Sequence, residues 1–170
     1  QAAAERRVEL AVQASEVGER SLVYVYDRDL DHAGHKAGVA SPAWSDELAR
    51  IDRFARQLRA ALHESVGLII TGDHGMVDVP LDQRLSIEQH DELTADVQLI
   101  GGEGRLRQLY VRPGTEAAVQ ARWADRLGAE AWVLTRGEAS DAGWFGPLAP
   151  RLADRFGDVV VAMAGQGALM

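Results

Sequence analysis

The sequence predicts an α/β protein with a mostly parallel sheet flanked by helices. Two short apolar runs, SLVYVYD at 21–27 and VGLIIT at 66–71, have the continuous hydrophobicity of strands covered on both faces. An amphipathic helix pattern over 42–63 lies between them, and a strand–helix–strand unit with a long crossover is typical of a parallel sheet. A polar segment containing glycine follows each run, at the sheet edge where such folds bind ligands.

Two helices are predicted in the first half of the chain, over 3–19 and over 42–63. The second has the clearest periodicity, because its apolar residues recur at spacings of three and four: Trp44, Leu48, Ile51, Ala55, Leu58 and Leu62. Ser41 and Pro42 give it a start signal, since serine caps free amide groups and proline fits the first turn.

Beyond Pro80 the pattern changes to that of a small α+β lobe. The predicted elements are two strands within 96–114 joined around Gly101-Gly102, a helix at 115–128, a strand at 129–135, a helical turn at 150–156 and a buried strand at 158–164. We therefore divide the chain into a partial catalytic α/β core at 1–93, the α+β lobe at 94–147, and a return to the core sheet at 148–170.

Composition narrows the function classes. The chain has 170 residues, a net charge of -8 and no cysteine, which excludes disulfides and thiolate chemistry and argues against binding a nucleic-acid backbone. No apolar run approaches the roughly 20 residues of a membrane span, and no signal-peptide pattern is present, which favours a cytoplasmic location. Composition leaves the oligomeric state open.

Two segments carry candidate metal ligands, DHAGHKAG at 31–38 and TGDHGM at 71–76. Asp31 and His35 are four residues apart, which places them on one face of a helix. Asp73 and His74 are adjacent at the end of a predicted strand. Aspartate oxygen and histidine nitrogen both ligate zinc, so the four side chains suit one ion or a pair of ions. Unrelated polar turns are the alternative for either motif alone.

These residues resemble a known family. The run DHAGHKAGVASPAWSDELARID, followed by LIITGDHGMVDVP, is similar to the type I phosphodiesterase/nucleotide pyrophosphatase family of the alkaline phosphatase superfamily. The similarity continues through GEGRLRQLYV, TRGEASDAGWFGP and RFGDVVVAM, and so covers most of the chain. It implies a three-layer alkaline-phosphatase-like fold and a hydrolase that acts on a nucleotide or another small phosphodiester or pyrophosphate.

By this resemblance the chain belongs to an enzyme with two divalent metal ions, usually zinc. Asp31 and His35 would ligate the first ion, and Asp73 and His74 the second. Ligands of this type also admit manganese or iron, so the metal identity stays open. The resemblance further implies a covalent phospho-enzyme intermediate on a threonine or serine nucleophile, with one ion activating the nucleophile and the other stabilising the leaving oxygen.

The same resemblance leaves parts of the site unassigned. The family's nucleophile and one aspartate ligand lie upstream of the Asp-x-x-x-His motif, and a histidine ligand lies downstream of the last predicted strand. We therefore expect a fragment of the catalytic domain, with no catalytic nucleophile of its own, that is inactive alone and binds metal weakly.

Two alternatives remain at this stage. A phosphomonoesterase, sulfatase or phosphosugar mutase of the same superfamily shares the DHGM run loosely, although the Asp-x-x-Gly-His-x-x-Gly run favours the phosphodiesterase branch. A non-catalytic binding domain is the alternative from another class, and the four intact ligand-type residues argue against it.

Overall fold

The structure, a computed structural model, describes residues 2–170, with side chains from Glu5 onward. The helices are α1 (Ala2–Ser15), α2 (Asp29–Ala37), α3 (Pro42–Ala61), α4 (Asp91–Thr94), α5 (Glu116–Leu127) and α6 (Arg136–Asp141). The strands are β1 (Arg84–Leu85), β2 (Val97–Glu103), β3 (Leu106–Val111), β4 (Ala131–Thr135), β5 (Val159–Met163) and β6 (Ala168–Leu169). Helices and sheets both contribute, so the predicted α/β class agrees with the structure.

The described chain divides into two compact units, with the boundary in sequence between Asp78 and Val79. The first contains α1, α2 and α3, and the second contains α4 to α6 and all six strands. The division that we predict from the sequence, at 1–93, 94–147 and 148–170, stays a prediction of domain organisation.

The first unit is held together by helix packing. Ala11 of α1 and Phe54 and Leu58 of α3 form its buried core, with Leu62 and Leu68 packed against them. Helix α3 confirms the periodicity of the sequence and begins where the start signal lies, since the Ser41 hydroxyl accepts a hydrogen bond from the amide of Trp44 at 3.2 Å. Helix α1 ends at Ser15, four residues before the predicted boundary.

The strands predicted at 21–27 and 66–71 are wrong, because neither segment is paired in a sheet within the described residues. Both segments are largely exposed, and Leu22 and Ile69 keep 99% and 90% of their surface. A strand forms only where a neighbouring strand satisfies its backbone hydrogen-bonding groups. An apolar run indicates burial, but it does not specify which segment is the partner strand. The parallel pairing that we expected between these two runs is therefore absent from the described chain.

The second unit is built on a four-stranded sheet in the order β2-β3-β5-β4, antiparallel throughout. Helix α5 packs on it through three buried side chains, Val119, Trp123 and Leu127. Their spacing of four is the stripe expected of a helix lying on a sheet. The core under this helix includes Leu109 of β3 and Val161 of β5, both fully buried.

The β2–β3 connection differs in detail from the prediction. The turn lies at Gly104-Arg105, and Gly101 and Gly102 lie inside β2. Gly102 has φ of 81°, and a Cβ on it would lie 2.2 Å from the carbonyl oxygen of Leu106. Glycine at position 102 allows the two backbones of the hairpin to approach closely. This role explains why Gly101-Gly102 resembles a turn although it lies inside a strand.

Shorter elements complete the second unit. Strands β1 and β6 form a two-residue parallel ladder that pairs Arg84 with Ala168 and Leu85 with Leu169. The helical turn predicted at 150–156 is confirmed as a 3-10 helix, Pro150–Arg155. None of the helices within 2–170 has the length and hydrophobicity that a membrane span requires.

Candidate metal centre

Helix α2 carries the first pair of predicted ligands. Asp31 Oδ1 lies 3.3 Å from His35 Nε2 across one turn of the helix, as the spacing of four predicts. Gly38, with φ of 88°, ends the helix just after the pair. Both side chains are accessible to solvent over much of their surface, so a ligand could reach them.

The donor atoms of this pair fit a metal ion. Asp31 Oδ1 is buried and, among the described residues, finds no hydrogen-bond partner. This oxygen lies within ion-pair distance of His35 Nε2, and a bound cation would also satisfy it. Two ligands on a tetrahedral zinc, with bonds of about 2.0–2.2 Å, lie roughly 3.3 Å apart. The 3.3 Å separation of Oδ1 and Nε2 is compatible with two zinc ligands, and it is equally that of an Asp–His ion pair.

The second pair, Asp73 and His74, lies in an exposed loop of the same unit. Asp73 Oδ1 and His74 Nε2 are 3.9 Å apart, and Oδ1 accepts a hydrogen bond from the His74 amide. His74 Nδ1 lies 2.9 Å from the carbonyl oxygen of Gly75. In the tautomer in which Nδ1 donates this bond, Nε2 carries the lone pair that a metal needs.

The structure brings the two motif segments into contact. The side chain of Met76, two residues after His74, lies against Gly34 of α2. The carboxylate of Asp78 accepts a hydrogen bond from the amide of Val39, just beyond the C-terminal end of α2. The sequence predicts this proximity, although it attributes it to two neighbouring strands that do not form.

The number of candidate ligands in each pair is two. Within residues 2–170, no group of three or more His, Asp or Glu side chains is arranged to hold a metal ion. Asp31 with His35, and Asp73 with His74, are therefore two candidate ligands apiece. A tetrahedral zinc takes four, so further ligands would have to complete either shell.

Sequence reasoning missed a charged cluster beside α2. Asp27 accepts hydrogen bonds from Arg7 Nη1 and Arg50 Nη2, both at 2.8 Å, and from the amide of Asp29 at 3.1 Å. Burial raises the pKa of Asp27, but the bonds from Arg50, Arg7 and Asp29 outweigh it and lower the pKa to about 2. The hydrogen bond that Arg50 donates to Asp27 also raises the pKa of Arg50.

This cluster joins four segments, because Arg7 lies on α1, Arg50 on α3, and Asp29 begins α2. Arg7 also stacks over the ring of Phe54 at 4.8 Å. No sequence motif marks such a cluster, since Arg7, Asp27 and Arg50 are 20 or more residues apart and each is an ordinary surface residue type.

Other polar residues near the motifs have local partners or lie in solvent. His32 and Lys36 are exposed on α2. The Thr71 hydroxyl donates to the carbonyl oxygen of Gly72 at 3.1 Å. His63 Nδ1 bonds the hydroxyl of Ser65, and His90, in the other unit, lies 3.1 Å from Glu92. His63 and His90 thus make local contacts and belong to neither motif pair.

Solved structures resemble the whole chain. Murine ectonucleotide pyrophosphatase/phosphodiesterase 5, in an inactive form in complex with AMP, matches 98% of this chain and 44% of its own, with a TM-score of 0.73 and 18% identity. The human ectonucleotide pyrophosphatase/phosphodiesterase 5 gives the same TM-score at 19% identity. These matches define the class of fold, which is α/β and alkaline-phosphatase-like.

The family follows from the sequence match. The model of the family described as type I phosphodiesterase / nucleotide pyrophosphatase matches residues 2–169. The chain therefore belongs to the type I phosphodiesterase/nucleotide pyrophosphatase family, as its two motifs predict.

Curated relatives match a shorter stretch. Ectonucleotide pyrophosphatase/phosphodiesterase family member 7 of Mus musculus is 41% identical over 64 residues, which is 35% of this chain and 15% of that protein. GPI ethanolamine phosphate transferase 3 of Schizosaccharomyces pombe is 40% identical over 47 residues, 28% of this chain and 5% of that protein. The matched region is thus a small part of each of these relatives.

Proposed function

We propose that this chain forms part of a metal-dependent phosphodiesterase or nucleotide pyrophosphatase, to which it supplies two ligands for each of two divalent ions. Asp31 and His35 hold one ion, and Asp73 and His74 hold the other. The observation that carries this proposal is the buried Oδ1 of Asp31, unbonded among the described residues and 3.3 Å from His35 Nε2. The metal-type donor pair lies on a motif of a family that is generally metal-dependent.

Two divalent ions in such a site supply positive charge to the attacking and leaving oxygens of a phosphoryl group. The chain's own residues have simpler tasks. The carboxylates of Asp31 and Asp73 supply negative charge that neutralises part of the charge of a cation. The imidazole of His74 is oriented by the carbonyl oxygen of Gly75, which leaves Nε2 pointing away from that bond.

The substrate class that we propose is a nucleotide or another small phosphodiester. Relatives with pyrophosphatase/phosphodiesterase names support it, as does the murine structure in complex with AMP. The net charge of -8 suits a site in which metal ions, rather than a basic surface, attract the phosphate.

We propose that the 170 residues alone do not turn over substrate. The covalent route implied by the family needs an activated serine or threonine. The two hydroxyls nearest the motifs in sequence are engaged with the backbone, since Ser41 caps α3 and Thr71 donates to Gly72. Neither is bonded to a side chain that could act as a base within the described contacts.

The test is metal binding by the 170-residue chain. Isothermal titration with Zn²⁺ is expected to show up to two ions bound, and Asp31→Asn and Asp73→Asn are each expected to remove one. Asp46→Asn, on the exposed surface of α3, is the matched control and should bind as the parent does. Failure of the parent chain to bind Zn²⁺, or unchanged binding in both motif variants, would contradict the proposal.

A second candidate function is transfer of a substituted phosphoryl group to an alcohol, in place of its hydrolysis by water. It is favoured by the match to GPI ethanolamine phosphate transferase 3 over 47 residues. Both proposed reactions would use the same two ligand pairs, so metal titration does not distinguish them. Product analysis of an active protein that contains this chain, with and without an added alcohol acceptor, distinguishes hydrolysis from transfer.

A further inference from the structure

We propose that Gly34, Met76 and Asp78 form an inter-motif clamp that sets the relative position of the two ligand pairs. The clamp has two contacts, one between Met76 and Gly34 and one between Asp78 and the amide of Val39. This inference rests on the proposed function, because it assigns a positioning role to residues that hold no metal themselves.

The first contact explains the residue types in both motifs. Gly34 is buried in α2, between Asp31 and His35 in sequence. A Cβ built on it would lie 2.2 Å from Met76 Sδ and 3.3 Å from Trp44 Cδ1. A side chain at this position would displace Met76 from its present rotamer, so the glycine of the first motif and the methionine of the second meet as one packing contact.

The second contact lies just beyond the C-terminal end of α2. Both carboxylate oxygens of Asp78 accept from the Val39 amide, at 2.9 and 3.1 Å. A Cβ on Gly38 would lie 3.1 Å from Asp78 Oδ2, and Gly38 has φ of 88°. Glycine here both ends the helix and admits the carboxylate.

Two contacts, one within α2 and one just beyond its C-terminal end, restrict both sliding and rotation of one motif segment against the other. The clamp contacts act on the segments that carry the ligand side chains, of which Asp73 and His74 are exposed. A pair of ions that act together lies about 3.5–4 Å apart, so a small shift between the segments changes how they bind. The positioning role of the clamp follows from this requirement.

Stepwise metal binding tests the clamp. Co²⁺ is added to the full 170-residue chain, and binding is followed by visible absorption and calorimetry. Asp31 and His35 belong to one helix, so binding of a first ion should persist in every clamp variant. Asp78→Ala is expected to weaken binding of the second ion by about 10- to 100-fold, the range typical of groups that orient metal ligands. Asp78→Asn, which keeps an oxygen acceptor for Val39, should lose less.

The packing contact has its own variants. Gly34→Ala and Met76→Ala should each weaken the second binding step. The double variant should lose no more than the worse single one, because both changes remove the same contact. Gly67→Ala is the matched control, since a Cβ there meets nothing within 4 Å. Asp46→Ala controls for loss of a carboxylate.

Each outcome is decisive. Selective loss of the second step, with metal-free thermal unfolding unchanged in Asp78→Asn, supports the clamp. Equal loss of both steps, or no loss in any variant while the parent binds two ions, overturns the clamp and leaves the proposed function standing. A parent chain that binds no Co²⁺ or Zn²⁺ overturns both.

Discussion

The two units of this protein differ in what holds them together. The second unit is organised around a sheet and a helix with fully buried residues such as Trp123 and Leu109. The first unit buries three residues of its small core and exposes apolar side chains in two segments, with Leu22 at 99%. Its α2 packs on α3, contacts the ion cluster through Asp29, and lies against Met76.

The difference shows that the candidate chemistry lies on the unit with the smaller core of its own. Burial of apolar surface contributes most of the stability of a fold, at roughly 25 cal/mol per Å². A unit with little of it depends on specific polar contacts, so substitutions of polar residues should matter more there. Substitutions of apolar residues should matter more in the second unit.

The largest expected effect is that of Trp123→Ala in the second unit. Its indole is fully buried and Nε1 donates to the carbonyl oxygen of Leu93 at 2.9 Å. Removal should cost about 3–5 kcal/mol of unfolding free energy, from lost burial and a new cavity. Trp132→Ala, in β4 and 57% exposed, is the matched control and should cost much less. Similar denaturation midpoints for the two variants would contradict the description of this core.

Next in size is the contribution of Asp27 in the first unit. Its pKa falls from the ordinary value of 3.8 to about 2, so the folded state favours the charged form. The resulting stability, about 2 kcal/mol, is complete above pH 5 and is lost as the pH falls from about 4 to 2. Asp27→Asn should remove this contribution near neutral pH and flatten the acid limb of the stability curve. An acid limb unchanged in Asp27→Asn would show that another group dominates.

Two helix caps allow the same change in both units. Ser41→Ala removes the cap of α3, and Thr135→Ala removes one half of the capping box that Thr135 and Glu138 form at α6. Each should cost about 1 kcal/mol, measured by denaturant unfolding. Ser41→Thr and Thr135→Ser retain the hydroxyl and should recover most of the loss. A loss with Ala that these variants do not recover would exclude capping as the cause.

The smallest expected effect is that of Leu22→Ala. The side chain is almost fully exposed, so truncation should change the unfolding free energy by less than about 0.5 kcal/mol. The same substitution at Leu93, fully buried in the second unit, should cost about 2–5 kcal/mol. A large loss at Leu22 would mean that its segment is covered in solution.

Much of the fold was predictable from local pattern. Helices α3 and α5 follow from the 3.6-residue period, and strands β2 to β5 follow from short apolar runs bounded by turns. The period fails for α4 and α6, which are too short to show it. The antiparallel pairing of the main sheet was not predicted either, because the valine run of β5 does not specify which strands pair with it.

The candidate site divides in the same way. The pairing of Asp31 with His35 follows from helix geometry alone, and the structure confirms their proximity at 3.3 Å. The contacts of Asp78 and Asp27 join residues far apart in sequence and have no local signature. Whether Asp31, His35, Asp73 and His74 bind metal stays a prediction.

The short ladder between β1 and β6 has a consequence for modularity. It places Arg84 beside Ala168 and Leu85 beside Leu169, so the path of the second unit starts and finishes at neighbouring strands, about 5 Å apart. A segment whose two ends are adjacent behaves as a cassette, which another polypeptide can accommodate at a single surface loop with little disturbance. Grafting 84–169 into such a loop is therefore a practical way to obtain this segment without the first unit.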